Sequence, residues 1–336
     1  MKIAIIGAGA IGGLLATRLA SIGADITVVA RGAQLAAIRA GGLRVIRPDG
    51  SEDSASVHAV PTCADAGVRD LVFLAVKANQ IADIAPSIGT LFGDQTSVVT
   101  LQNGLPWWYF QNFAGPHANY RMRSADPDGV IEGNIAARRV IGSVVYPASE
   151  VVRPGVIRHV EGDRLPLGEL DGSQTPRIVA VSELLTRAGF KAPILPDIRS
   201  EIWLKLWGNM SFNPISALTH ATLSDICEEP ATRELAARMM EEAATIAGKL
   251  GATFRVSIEK RLAGAQKVGR HKTSTLQDME AGRPIEIDAL IGSVLELGTL
   301  TGVATPTIEA VHALLVLLHK TAQGEQARTA LIPLAA

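Results

Sequence analysis

Lys2-Ile3-Ala4-Ile5-Ile6-Gly7-Ala8-Gly9-Ala10-Ile11-Gly12-Gly13 opens the chain, and its reading decides the fold. Lys2–Ile6 is a short apolar run that reads as a buried strand, and the apolar spacing of Ile11–Ser21 reads as a helix. Between them, Gly7, Ala8, Gly9, Ala10, Ile11 and Gly12 fit GxGxxG in the strand–turn–helix setting that dinucleotide binding requires. Gly7 permits the tight turn, Gly9 admits a pyrophosphate where a Cβ would obstruct it, and Gly12 lets helix and strand pack closely. The helix N-terminus offers the phosphates free N–H groups and a partial positive charge.

The pattern continues outward from this loop. Asp25–Val29, Leu71–Val76 and Ser97–Leu101 read as further strands, alternating with helices near Ala33–Ala40 and at Gln80–Leu91, which is the pattern of a doubly wound parallel sheet. After a polar, Gly/Pro-rich stretch at about 115–139, Val140–Tyr146, Val156–His159 and Leu165–Leu167 read as strands and Pro176–Ala188 as a helix. Pro193–Ile198 reads as a last strand and hinge. From Arg199 the period changes: Ile202–Leu218, Thr232–Leu250, Ile258–Ala265, Ile287–Leu300 and Thr307–Lys320 carry helical spacing, with Pro230, Pro284 and Pro306 near helix starts. The expected fold class is α/β: a Rossmann-type dinucleotide-binding domain over 1–196, with an insertion at about 107–139, followed by an all-α domain over 197–336.

Composition narrows the functions available. With 336 residues, 47 % hydrophobic and 19 % charged, the chain can bury a sizeable core. Its 32 Lys and Arg nearly balance 33 Asp and Glu, and no block of five like charges occurs, so broad attraction to nucleic acid or an acidic membrane is not expected. No uninterrupted apolar run approaches the ~18 residues of a membrane span. Cys63 and Cys227 are too few and too far apart for a disulfide framework or a CxxC site, so a reducing cytoplasm is the expected compartment, and no metal site is expected. The opening residues imitate a secretory signal, but Gly7, Gly9, Gly12 and Gly13 interrupt its would-be apolar core.

The second strand selects the cofactor. An NAD site places an acid at its end to bind the ribose 2′-hydroxyl, whereas here Ile26-Thr27-Val28-Val29 ends in Ala30-Arg31-Gly32. Arg31 can grip a 2′-phosphate with a planar fork of donors, which favours NADP (NADPH) over NAD. Lys77 follows the strand ending Leu74-Ala75-Val76, and Asn103 follows Val98–Leu101 in Gln102-Asn103-Gly104. Both project where ligands bind such sheets, or else form an exposed loop charge and a simple turn.

Lys205, Asn209 and Asn213 recur at i, i+4 and i+8 on one face of an otherwise apolar helix. Burying three such groups without partners is costly, so the face lines either a polar cleft or solvent. Pro214 is expected to bend or interrupt the helix. Further on, Ser274 reads as a helix N-cap, and Glu286, or Asp288 instead, as the cap of a helix start.

These residues together resemble the ketopantoate reductase (2-dehydropantoate 2-reductase) family over nearly the whole chain. The resemblance rests on the glycine loop, Ala30-Arg31-Gly32, Val76-Lys77-Ala78, Leu101-Gln102-Asn103-Gly104, Trp203-Leu204-Lys205 with Asn209 and Asn213, Ser274 through Asp278, and Glu286-Ile287-Asp288. It implies NADPH-dependent reduction of a 2-oxo acid, ketopantoate to pantoate, in pantothenate biosynthesis. By resemblance Lys205 is the general acid and Glu286 orients substrate and lysine. Asn103, Asn209, Asn213 and Ser274 hold the 2-oxo acid, and Lys77 lies near the nicotinamide. A lysine starts from a pKa of about 10.4 and needs no shift to be protonated at neutral pH. Reduction of another branched or aromatic 2-oxo acid, and a non-catalytic NADP-binding sensor, are the alternatives.

One departure stands out. Of 7 Phe, 4 Trp and 3 Tyr, five crowd into Trp107, Trp108, Tyr109, Phe110 and Phe113, directly after Asn103. They either reshape the substrate pocket or pack the insertion onto the protein or across a homodimer.

Overall fold

The computed structural model describes residues 1–331, which divide into two compact units, Met1–Met122 with Asp126–Ile198 and Arg123–Ala125 with Arg199 onward. The first is built on a seven-stranded sheet. Its members are β1 (Lys2–Ile6), β2 (Asp25–Val29), β5 (His58–Val60), β6 (Arg69–Leu74), β7 (Phe92–Thr100), β8 (Val140–Ser143) and β11 (Leu167–Glu169), ordered β11-β8-β7-β6-β1-β2-β5. All neighbours are parallel except β11, which runs antiparallel to β8. The central strands are buried over most of their length, as in Ile3–Ile6, Ile26–Val29 and Leu71–Leu74, which suits a parallel sheet covered on both faces. The helices of this unit are α1 (Ala10–Ser21), α2 (Gly32–Gly41), α3 (Cys63–Ala66), α4 (Ile81–Ile88), α5 (Val130–Asn134) and α6 (Pro176–Arg187). The α/β class expected from the sequence is the one observed.

A second sheet was not legible. β3 (Leu43–Ile46), β4 (Glu52–Ala55), β9 (Ala148–Arg153) and β10 (Val156–Glu161) form a four-stranded sheet ordered β4-β3-β10-β9. Val156–His159 therefore belongs here and not to the main sheet. This sheet explains why α1 is apolar nearly all round: the helix touches β1 and β2 and also β3, β4, β9 and β10. Gly13 makes the approach possible, since a Cβ there would lie 2.5 Å from Ile157 Cδ1.

Pro193–Ile198 is not a strand. Lys191 and Ile194 make only isolated bridges, and Ile198 already begins the next helix. Pro193 and Pro196 lack the N–H groups that a ladder needs. The aromatic cluster packs internally. Trp107, Trp108, Tyr109 and Phe110 are buried, and Phe110 sits edge-on to Tyr109, Phe113 and Tyr120 with centroids 4.8, 5.1 and 5.4 Å away. Trp108 Nε1–H donates to Thr100 Oγ1 (3.1 Å), and the indole lies against Gly142, whose missing Cβ makes room for it.

The second unit is helical, as expected: α7 (Ile198–Thr219), α8 (Leu223–Glu228), α9 (Pro230–Lys249), α10 (Ile258–Val268), α11 (Ser274–Glu280), a π turn (Asp288–Gly292), α12 (Ser293–Thr301) and α13 (Pro306–Leu331). α9 packs against α8, α10, α12 and α13. α7 runs on through Pro214, correcting the expected interruption: the proline removes one backbone donor without ending the helix. Pro230 and Pro306 are first helical residues, whereas Pro284 precedes the π turn by several residues. The tripeptide Arg123–Ala125 joins this unit because the Glu296 carboxylate accepts N–H groups of Arg123 (2.8 Å) and Ser124 (2.7 Å). No helix among the described residues is long and apolar enough to cross a membrane.

Candidate active site

In the first unit the candidate residues follow the C-terminal ends of four adjacent parallel strands: Gly7 after β1, Arg31 after β2, Lys77 after β6 and Asn103 after β7. β6 and β2 flank β1 and follow it in the chain in opposite directions across the sheet, so a switch point lies between β1 and β6. Gly7 has φ +96°, and a Cβ there would lie 2.7 Å from Val76 Cγ1. A Cβ on Gly12 would lie 1.8 Å from the Gly7 carbonyl oxygen. A Cβ on Gly9 would meet nothing within 4 Å. Gly7 and Gly12 thus serve packing, while Gly9 keeps open the space into which the first turn of α1 points its unpaired N–H groups. No side chain caps that turn and it holds no acid, so its partial positive charge is unopposed. A dinucleotide's pyrophosphate fits this cradle.

Arg31 is exposed, opens α2, and makes no ion pair among the described residues. Lys77 starts the turn Ala78–Gln80, its N–H donating to Gln80 Oε1 (3.3 Å). Two residues without an assigned role hold these loops. Gln102 Nε2 donates to the carbonyls of Leu74 (2.6 Å) and Val76 (3.3 Å), tying the Asn103 loop to the Lys77 loop. Gln34 donates to the Ala8 carbonyl and accepts from the Gly155 N–H (2.8 Å), bracing the glycine loop. Gln102 was visible only as the neighbour of Asn103, and Gln34 carried no sequence signal.

In the second unit, Lys205, Asn209 and Asn213 share one face of α7. The start of that helix is fixed: Thr253 N–H donates to Ser200 Oγ (2.8 Å), and Arg255 forks onto the buried Glu201 carboxylate. Trp207 stacks on Phe254 at 3.8 Å and 2°. Asn213 Nδ2 donates to Ser274 Oγ (3.4 Å), while Thr273, not Ser274, caps α11. Glu286 does not cap a helix. It lines a small pocket together with Asn209, Asn213, Pro214, Thr275 and the apolar Ile285, Ile287, Leu290, Ile291 and Leu315.

Lys205 departs from the expectation that it needs no shift. Burial of its ammonium lowers its pKa to about 8, against the opposing pull of the Glu286 carboxylate. The structure thus brings Lys205, Asn209, Asn213, Ser274 and Glu286 into one cluster within this unit. No group of three or more His, Cys, Asp or Glu suited to a metal occurs among the described residues.

A glycine loop of the dinucleotide-binding pattern at a sheet switch point, and a helical domain carrying a partly desolvated lysine beside a glutamate, fit a dinucleotide-dependent oxidoreductase. The family model described as ketopantoate reductase PanE/ApbA matches residues 3–109, and its C-terminal counterpart matches 197–319. The chain belongs to the ketopantoate reductase family, oxidoreductases that act on CH–OH groups. It is 54 % identical over 315 residues to a 2-dehydropantoate 2-reductase of Mesorhizobium japonicum, covering 94 % of this chain and 96 % of that one. It also resembles a Ralstonia solanacearum protein crystallised as a candidate ketopantoate reductase (42 % identity, TM-score 0.91, 95 % of this chain and 98 % of the other). D-mandelate dehydrogenase, solved with NADH and anilino(oxo)acetate, shares the fold at 21 % identity (TM-score 0.82, 96 % of this chain and 100 % of the other).

Proposed function

We propose that the protein reduces 2-dehydropantoate (ketopantoate) to pantoate, taking NADPH as its cofactor. The observation that carries this reading is the pairing of Lys205 with Glu286 on a unit whose adjoining cavity is lined by two asparagine amides. NADPH, when bound, supplies the hydride to the ketone carbon. Gly7, Ala8, Gly9, Ala10, Ile11 and Gly12 hold its pyrophosphate, Arg31 its 2′-phosphate, and Lys77 and Asn103 lie toward its nicotinamide. Lys205 meets the negative charge that develops on the carbonyl oxygen and transfers a proton to it, giving the 2-hydroxy acid. Glu286 keeps Lys205 charged despite its burial, and Asn103, Asn209, Asn213 and Ser274 orient the 2-oxo acid.

The full-length protein is expected to oxidise NADPH on addition of 2-dehydropantoate in a steady-state assay. Lys205→Ala should lower kcat by about 100-fold or more while leaving the Kd for NADPH nearly unchanged. In the same assay Arg31→Ala should erase a preference for NADPH over NADH. Absence of turnover with every 2-oxo acid tried refutes the reaction, and an unchanged cofactor preference refutes the role of Arg31.

A further inference from the structure

We propose that the Thr275 hydroxyl receives a hydroxyl on the alkyl part of the substrate, making the site select a branched, hydroxylated 2-oxo acid over its deoxy counterpart. The inference rests on the 2-oxo acid reading above and gives a role to a residue to which the family resemblance assigns none.

Thr275 is 5 % exposed and lines the cavity shared with the amides and the glutamate, yet its hydroxyl has no hydrogen-bond partner among the described residues. Elsewhere in the chain, buried helical hydroxyls fold back on the carbonyl four residues earlier, as in Thr17 to Gly13, Ser211 to Trp207 and Ser293 to Ala289. Thr275 is the second residue of α11 and has no helical carbonyl behind it, and the His271 carbonyl already receives the Leu223 N–H (3.1 Å). The hydroxyl of this pocket-lining residue is thus open to a ligand, and a ligand hydroxyl, being both donor and acceptor, can pair with it whichever way the threonine proton points.

The rest of the lining suits an alkyl group. Ile287 and Leu290 are 8 % and 7 % exposed, and both line the same cavity. Ile287 precedes and Leu290 lies within the π turn Asp288–Gly292 that follows Glu286, and such turns are frequent at functional sites. 2-Dehydropantoate carries two methyl groups and one hydroxymethyl group on the carbon beside its ketone. Its methyls match the isoleucine and leucine wall, and its hydroxyl matches Thr275. A site built to bond a hydroxyl discriminates against an analogue that lacks it, because its own group is then left unpaired.

The test compares kcat/KM for 2-dehydropantoate with kcat/KM for 3,3-dimethyl-2-oxobutanoate, the same skeleton without the hydroxyl, with NADPH and the full chain. The wild type is expected to prefer the hydroxylated substrate by about tenfold or more. Thr275→Val should lower that ratio about tenfold, and Thr275→Ser should restore it. Because both substrates are measured on one preparation, partial unfolding cancels from the ratio. A wild type without the preference, or a Thr275→Val ratio equal to wild type while both substrates turn over, overturns the assignment of Thr275 alone. Turnover of neither substrate by the wild type overturns the reaction reading and this assignment with it.

Discussion

As the proposed proton donor, Lys205 would answer to two opposed demands, since burial strips its ammonium of water while reduction would need the proton to stay on. With its pKa lowered to about 8, the lysine is mostly protonated at pH 7 and loses its proton as pH rises through 8. Reduction should therefore show an alkaline limb near pH 8 in kcat/KM, and oxidation of the hydroxy acid should rise over the same range. Glu286 opposes the lowering, so Glu286→Gln should move that limb to lower pH. A limb that stays in place or moves upward in this variant would remove Glu286 from the role. The spacing of Lys205, Asn209 and Asn213 was legible because helix geometry alone puts them on one face. The shift of Lys205 was not, because burial is set by residues remote in the chain. Thr275 was hidden for the same reason: a threonine beside Ser274 carries no mark in sequence of being left without a partner.

Among the elements, the glycine loop was the most legible, because each glycine has a steric duty fixed by the strand before it and the helix after it. The structure separates those duties into two kinds that mutation can tell apart. A Cβ on Gly9 enters open space, so Gly9→Val should fold with wild-type Tm yet bind NADPH about tenfold or more weakly by calorimetry. A Cβ on Gly12 meets the Gly7 backbone, so Gly12→Ala should cost about 1–3 kcal/mol in denaturant unfolding. If Gly12→Ala instead keeps full stability, the close helix–strand approach is not the constraint it is taken to be. Of the four-stranded sheet only β10 was read as a strand, and β3, β4 and β9 escaped. β4 reads Glu52-Asp53-Ser54-Ala55, without one β-branched or aromatic residue, and its pairing comes from β3 across the turn where the Ser51 carbonyl receives the Arg47 N–H. The π turn after Glu286 likewise has no periodic signature that distinguishes it from ordinary helix.

At the scale of the whole molecule, the change of period near residue 199 was legible, but the path of the chain was not simple. Composition marked 115–139 as a polar loop, and nothing in it announced that Arg123–Ala125 would be counted with the helices. The reason is the Glu296 carboxylate on α12, which takes two backbone N–H groups of that tripeptide. Glu296→Ala should lower stability by about 1–3 kcal/mol, read as a shift in denaturant midpoint, with little effect at an exposed control glutamate such as Glu234. The helical unit is therefore not a cassette. A gene fusion or recombination event that joins at residue 199 transplants the seven helices but leaves three of the unit's residues in the donor, and Glu296 arrives in its new host with nothing to receive. Successful exchange of this unit between relatives requires carrying two separate stretches of chain, so the crossing constrains how such proteins are recombined as well as how they fold.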